Sequence, residues 1–353
     1  MAIHINVNLK VLKLLFTSQT EQKRPPVTFV VSTMFSLIIV LATNSVIAAE
    51  NKSEVDKCME AEMLQAGDSV TMGEIREQCQ EGTKKANKET NIEKRLEMEK
   101  SARGNPWVIS VHKPNYILLA AHNDKTNAAP FTNQFPDEDI SLDDTEVKFQ
   151  ISAKYPLAVD LFDGKGDVYF AYTNRSFWQL YNENSAPFRE TNHEPEAFLS
   201  LRNDWKLFGF TNSLINIGFV HQSNGRADTL SRSWNRIFAS FIFEKNNLAL
   251  AFKPWYRIPE DEADDDNPDI EDYMGNFEFT GVYKKGRHSF SAMLRNNLKS
   301  DGNRGAIQMD WFFPMTKLLK GYVQYFNGYG ESLIDYNYDQ ESIGIGVALA
   351  GWL

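Results

Sequence analysis

Alternation with a period of two runs through the chain from Pro106 onward, and it narrows the possible folds more than any other feature. Side chains of a β-strand point to opposite faces in turn, so such alternation separates an apolar face from a polar one. Val147, Phe149, Ile151, Ala153, Tyr155 and Leu157 alternate with Lys148, Gln150, Ser152 and Lys154. Phe277, Phe279 and Tyr283 alternate with Asn276, Glu278 and Thr280. Ile307, Met309, Trp311 and Phe313 flank Gln308 and Asp310, and Ile343, Ile345, Val347 and Leu349 alternate with small residues. Turn-like clusters lie between such runs: Asp163-Gly164-Lys165-Gly166, Lys299-Ser300-Asp301-Gly302-Asn303 and Asn327-Gly328-Tyr329-Gly330. About twelve segments of this kind fit into about 250 residues. A soluble β-sandwich also alternates. The apolar faces are heavy in Phe, Tyr and Trp, and the last strand runs to Trp352 and Leu353. Both features favour an all-β fold: an antiparallel transmembrane β-barrel of about 12 strands with a small helical N-terminal extension. A barrel can span a membrane because closure leaves no unpaired backbone edge.

The mean hydropathy of -0.42 argues against a multi-helix membrane protein but does not exclude a barrel. The formal net charge of -10 gives no support to nucleic-acid binding. One long apolar run, Val27 to Ala49, follows Lys23 and Arg24 and closes on Ala48 and Ala49. Residues 1–49 are therefore expected to be a signal peptide; the alternative is a membrane anchor, since the run is just long enough to span. Residues 50–104 are rich in Glu, Lys, Met, Ala and Gln, all good helix formers. Thr71 followed by Glu74 has capping-box spacing and predicts a helix start. The expectation is two helices stapled by Cys58 and Cys79, then a charged stretch to Ser101, making a periplasmic appendage. In an oxidising compartment the two cysteines pair most simply with each other; two buried free thiols are the alternative. Residues 105–353 are left for the barrel.

The densest chemical cluster is His221-Gln222-Ser223-Asn224-Gly225-Arg226, continuing to Ser231-Arg232-Ser233-Trp234-Asn235-Arg236. Ile215, Ile217, Phe219, His221 and Ser223 share one strand face. Ser233, Asn235, Ile237, Ala239, Phe241 and Phe243 share a face of the next strand. The reactive residues thus extend an apolar stripe that faces lipid in a barrel. Hydrocarbon cannot satisfy polar groups, so this is a costly place to leave them unless the substrate is itself a lipid. His221 and Ser223, at i and i+2, come close enough for a base to activate a hydroxyl nucleophile. Asn235, one hairpin away, is placed to orient the imidazole, and the Gly225 amide to stabilise an oxyanion. Polar residues also gather at the mouth of any barrel, so the pattern alone leaves that reading open.

This cluster resembles the signature of the outer-membrane phospholipase A family. Further blocks agree: Pro187-Phe188-Arg189-Glu190-Thr191-Asn192, Lys253-Pro254-Trp255-Tyr256, Asp266-Asn267-Pro268-Asp269-Ile270 and Gly328 through Asn337. The resemblance implies a twelve-stranded barrel in the outer membrane of a Gram-negative bacterium. It implies a homodimer that hydrolyses acyl ester bonds of phospholipids and lysophospholipids with Ca2+ as cofactor. Ser223 would be the nucleophile, His221 the base and Asn235 the orienting amide. The Ser231 side chain and the Arg226 carbonyl would hold the active-site calcium, with Ser185 contributed across the dimer. Asp228 and Asp266 resemble a second calcium site. Asn174 stands where the family has an interface glutamine.

Blander readings sit beside these. The acidic run Pro259 to Asp272 reads as a solvated external loop, with calcium at Asp266 as the alternative. His193 and His288 read as surface residues, and most Trp and Tyr as interfacial anchors. Arg226, Arg232 and Arg236 meet lipid phosphates or line the lumen. As a whole, the alternative to an enzyme is a non-catalytic barrel, a small channel or structural protein.

Overall fold

The structure is a computed structural model that describes residues 54–63, 70–86, 90–102, 108–184, 186–316 and 318–352. The expected signal peptide and Ser185 lie outside the described residues. The chain divides into two compact units, at Lys84 and Lys85.

The first unit is a helical hairpin. Helix α1 spans Glu54–Met63 and α2 spans Met72–Ala86. The Thr71–Glu74 capping box starts α2: the Thr71 amide donates to the Glu74 carboxylate at 2.8 Å, and the Glu74 amide to the Thr71 hydroxyl at 3.3 Å. Those Thr71 donors hold the Glu74 carboxyl below its ordinary pKa. Met59, Ile75 and Cys79 form a small core, and Cys58 is bonded to Cys79 across a sequence separation of 21. So small a core cannot offset much chain entropy, and a cross-link of this loop size contributes roughly 3 kcal/mol. Reducing the full-length protein should therefore speed hydrogen exchange at α1 amides while barrel amides keep their protection. Unchanged α1 protection would show that the cross-link is dispensable.

The second unit is a closed antiparallel barrel. Its twelve long strands are β1 Asn115–Asn123, β2 Thr145–Asp160, β3 Gly166–Trp178, β4 Phe188–Arg202, β5 Phe210–Ser223 and β6 Ser233–Lys245. They continue as β7 Leu248–Ile258, β8 Phe277–Lys285, β9 His288–Asn296, β10 Gly305–Pro314, β11 Lys320–Tyr329 and β12 Asp339–Ala350. Each strand pairs with its neighbours in sequence, and β12 pairs with β1 to close the ring. Two-residue stubs, Ser110–Val111 and Lys206–Leu207, add short pairings at the rim.

Alternation resolves as expected for a wall between lipid and lumen. Ile151, Leu157, Ile217, Ile237 and Ile345 are exposed on the outer face. Many inward polar residues are buried and paired. Lys148 Nζ donates to Gln324 at 2.6 Å and Glu331 at 2.8 Å. Lys113 Nζ lies 2.9 Å from both Glu194 and Glu196. Asp310 accepts from Ser291 at 2.7 Å and Tyr322 at 2.8 Å. Buried charges persist when paired or hydrogen-bonded, as Lys148, Lys113 and Asp310 are.

One expected turn is absent. Asn327 and Gly328 lie inside β11, in register with Ile307 and Ala306. A Cβ built on Gly328 would meet the Gly305 carbonyl at 2.2 Å, so glycine is there for close approach of two strands, not for a turn.

The charged stretch ending the appendage is a third helix, α3, over Asn91–Ala102. It has its own capping box: the Thr90 amide donates to Glu93 at 2.8 Å and the Glu93 amide to Thr90 at 3.2 Å. It belongs with the barrel unit. Ile92 and Leu96 pack on Leu214, Ile242 and Ala249, from β5, β6 and β7. Arg95 donates to the carbonyls of Trp352 and Val111, both at 2.6 Å, and Glu99 meets Lys154 at 2.9 Å. These partners stand on opposite sides of the ring, so α3 lies across the mouth at the short-turn end. Between it and the charged network remains a lumenal cavity of about 320 Å³. Outer-membrane barrels keep short turns on the periplasmic side and longer loops outside, which orients α3 inward and the 224–232 and 259–276 loops outward.

Candidate active site

The β5–β6 hairpin carries the site at the long-loop end. Its register places His221 opposite Asn235 and Ser223 opposite Ser233. All four continue the outer stripe of Ile217, Phe219 and Ile237. His221, Ser223 and Asn235 are each half-buried. The sequence-derived placement on the lipid-facing side therefore agrees with the structure.

His221 Nδ1 lies 2.9 Å from Asn235 Oδ1. The amide nitrogen of Asn235 donates to Glu260 at 2.9 Å. A carboxylate accepts only, so this second bond fixes which end of the amide meets the ring. The oxygen faces His221, the proton sits on Nδ1, and Nε2 keeps a free lone pair. Glu260 belongs to the run read as a solvated loop. Residues 261–264 of that run are exposed, and the loop is also anchored at several points. Asp265 pairs with Arg257 at 2.6 Å, the Asn267 side chain accepts from the Ser233 amide at 2.9 Å, and Asp269 accepts from Tyr336 at 2.5 Å.

The loop after Ser223 is closed by Asn224, a residue to which the sequence assigned no role. Its buried side chain accepts from the amides of Arg226 at 3.3 Å and Arg232 at 3.0 Å, and donates to Leu230 at 2.8 Å. That hub holds Gly225 at φ +64°, a left-handed conformation that costs a residue with a Cβ roughly 1–2 kcal/mol. Its three bonds also fix the ends of the 224–232 loop, on which the Gly225 amide and the Arg226 carbonyl lie.

The proposed calcium ligands divide. Ser231 donates to Asp266 at 2.6 Å, bringing a hydroxyl and a carboxylate oxygen together. Asp228 opens a short turn whose carbonyl accepts from the Ser231 amide at 3.1 Å. Among the described residues no group of three His, Cys, Asp or Glu side chains converges for a metal. A cation held here must therefore rely on hydroxyl, carbonyl and single carboxylate oxygens, the donor type that suits calcium.

The arginines sort themselves. Arg236 points into the lumen, 3.8 Å from the Trp234 ring centre and packed beside Trp255. Trp234 and Trp255 are buried there, not interfacial anchors. Arg226 donates to the Arg189 carbonyl at 2.5 Å, and Arg232 to the Ser231 carbonyl at 2.5 Å. His193, read as a partnerless surface residue, has partners. Its Nδ1 lies 2.6 Å from the Tyr172 hydroxyl, and it stands opposite Ser223 in the β4–β5 register. Glu260, Asn224 and His193 were invisible to motif reading because each acts through a fold-dependent neighbour. Only Asn224, inside the reactive cluster, carried a signal.

Residues 92–349 match the Phospholipase A1 family. The Phospholipase A1 of Klebsiella pneumoniae is 38% identical over 246 residues, which cover 69% of this chain and 83% of that one. The structure is similar to a Salmonella typhi outer membrane phospholipase dimer with bound calcium, at a TM-score of 0.65 and 36% identity over 70% of this chain and 94% of that one. It is equally similar to an Escherichia coli outer membrane phospholipase A with an asparagine-to-alanine change in its active site, at a TM-score of 0.65 and 34% identity, again over 70% and 94%. Family match, shared identity and closed twelve-stranded barrel together place the chain in the phospholipase A1 family, as a phospholipase of the outer membrane.

Proposed function

We propose that the enzyme hydrolyses acyl ester bonds of phospholipids and lysophospholipids through a Ser223–His221–Asn235 triad on its lipid-facing wall. The observation that carries this reading is the His221–Asn235 bond of 2.9 Å with its backing by Glu260. It leaves His221 Nε2 as the acceptor on the face that Ser223 shares. The Ser223 hydroxyl adds to the acyl carbonyl carbon and passes its proton to Nε2. The C–O bond to the glycerol then breaks, and the leaving alkoxide takes that proton from the imidazolium. Water, deprotonated by the same nitrogen, releases the fatty acid and restores Ser223. The Gly225 amide, one residue beyond the nucleophile's neighbour, would donate to the oxygen that gains charge.

Ca2+ would be held by the Ser231 hydroxyl and the Arg226 carbonyl, with Ser185 of the partner subunit completing the set, and with Asp228 and Asp266 at a second site. When bound it supplies Lewis acidity toward the ester carbonyl. The oxygen donors around Ser231 and the calcium-bound dimer of the Salmonella typhi relative support this. A ligand lent across the interface makes a monomer incomplete, so homodimerisation would switch the enzyme on.

Hydrolysis of a phospholipid in detergent micelles is the test. Full activity in millimolar calcium, a loss of at least about a hundredfold with chelator and recovery on readdition are expected. Rate per mole should also rise with protein concentration until the dimer saturates. Calcium-independent hydrolysis at full rate would rule out the proposed ligand set.

A further inference from the structure

We propose that His193 is a second imidazole of the active site, donating a hydrogen bond from Nε2 to the ester oxygen that becomes charged during Ser223 attack. The inference rests on the triad reading above and adds a residue to it.

Strand β4 lies on the side of β5 away from Asn235. Its His193 is the register partner of Ser223. Register partners on one sheet face have Cβ atoms about 4.5–5.5 Å apart. Ser223 is thus flanked by two imidazoles, His221 along its own strand and His193 across the neighbouring one.

The two rings are held in opposite senses. Around His193 Nδ1 stand the Tyr172 hydroxyl at 2.6 Å and the Asn174 amide nitrogen at 3.5 Å. The Asn174 oxygen lies 3.0 Å from the Ser176 hydroxyl and its nitrogen toward the ring. With Nδ1 accepting from the Tyr172 phenol, the proton of the neutral ring lies on Nε2, and this tautomer is part of the proposal. Tyr172 also lies along the ring, with centroids 6.2 Å apart and planes inclined by 27°. His221 presents a lone pair toward Ser223; His193 presents an N–H.

That N–H edge faces the turn after the nucleophile. A methyl group built on Gly225 would lie 3.8 Å from both Nε2 and Cδ2 of His193. The Gly225 backbone and His193 Nε2 are therefore neighbours in the turn just past Ser223. Two donors converging where negative charge develops would form an oxyanion hole. Tyr172 and Asn174 are positioning residues, since they set the His193 tautomer without reaching the ester.

The same N–H could instead recognise a phosphate of the headgroup, and the test separates the two. His193→Phe and His193→Leu remove the donor with two different shapes, and His193→Gln restores one. Each variant, once its heat-modifiable gel shift confirms a folded barrel, is assayed for kcat and KM. The substrates are a phospholipid and a neutral long-chain ester without phosphate. We expect kcat to fall about a hundredfold to a thousandfold for Phe and Leu on both substrates, the range of losing one oxyanion donor. KM should change little, and Gln should recover most of the rate. A sulfonyl fluoride should still label Ser223 in every variant. Unchanged kcat, or a loss confined to KM for the phospholipid, overturns the proposal. Loss of labelling at Ser223 in the otherwise native enzyme would instead indict the triad itself.

Discussion

Ser223→Ala should reduce phospholipid hydrolysis by roughly 10⁴-fold or more while the barrel stays folded. Losses of this size follow removal of a nucleophile that acts as a unit with its base. Alanine at this position removes one half-buried hydroxyl on the outer face. Stability should therefore change by no more than about 0.5 kcal/mol. Two other hydroxyls are near enough to demand a control. Ser231 is committed to Asp266 at 2.6 Å. Ser233 stands opposite Ser223 in the register, diagonal to His221. Ser233→Ala should keep most of the activity, because Ser223 shares both strand and face with His221. The comparison is made on calcium-saturated protein by fatty-acid release. Residual activity in Ser223→Ala that vanishes in the double variant would move the nucleophile to Ser233.

Arg189→Ala should destabilise the barrel by roughly 3–5 kcal/mol, the range for stripping one partner from a buried ion network. Arg189 grips Glu146 with two nitrogens, at 2.8 and 3.0 Å, and Asp335 with a third at 2.7 Å. All three side chains are buried, and the guanidinium packs on the Phe177 ring at 5.1 Å. Asp335 also accepts from Ser332 at 2.7 Å and Asn127 at 3.0 Å. One guanidinium thus binds β2, β4 and the 330–338 loop at the end that carries the site. Removing it strands two carboxylates in a dry interior. Denaturant unfolding followed by tryptophan fluorescence reads the loss. Arg189→Met combined with Glu146→Gln and Asp335→Asn should recover much of the stability, because no unpaired charge is left. A full loss in the triple variant would show that shape, not charge, governs this region. Arg226 should feel the change too, since it bonds to the Arg189 carbonyl.

The strands and their outward faces were legible because lipid and packed lumen impose opposite demands on successive residues. The same logic puts His221, Ser223 and Asn235 on one surface from the alternation alone. What escaped depends on which strands become neighbours. Lys148 reads only as a polar-face lysine until Gln324 and Glu331 reach it from three strands along the ring and the loop beyond. Asn327-Gly328 has turn composition, but the backbone of β10 needs the space a side chain would take. His193 looked solitary because Tyr172, Asn174 and Ser223 reach it only through register. Glu260 looked like one acid among many, yet it sits just past Ile258, the register partner of Asn235. Local composition also hid the fate of α3. Its residues spell an ordinary charged helix, and only the carbonyls of Trp352 and Val111 at Arg95 reveal where it docks.

That docked helix has a consequence for permeability. Outer-membrane barrels of larger bore leak solutes through a water-filled centre. Here Ile92, Leu96, Arg95 and Glu99 cross one mouth, and paired charges such as Lys113–Glu194 occupy the bore above it. Among the described residues, side chains thus narrow the lumen at one mouth and along the bore. Single-channel conductance of the reconstituted protein should therefore fall well below that of an open water-filled barrel.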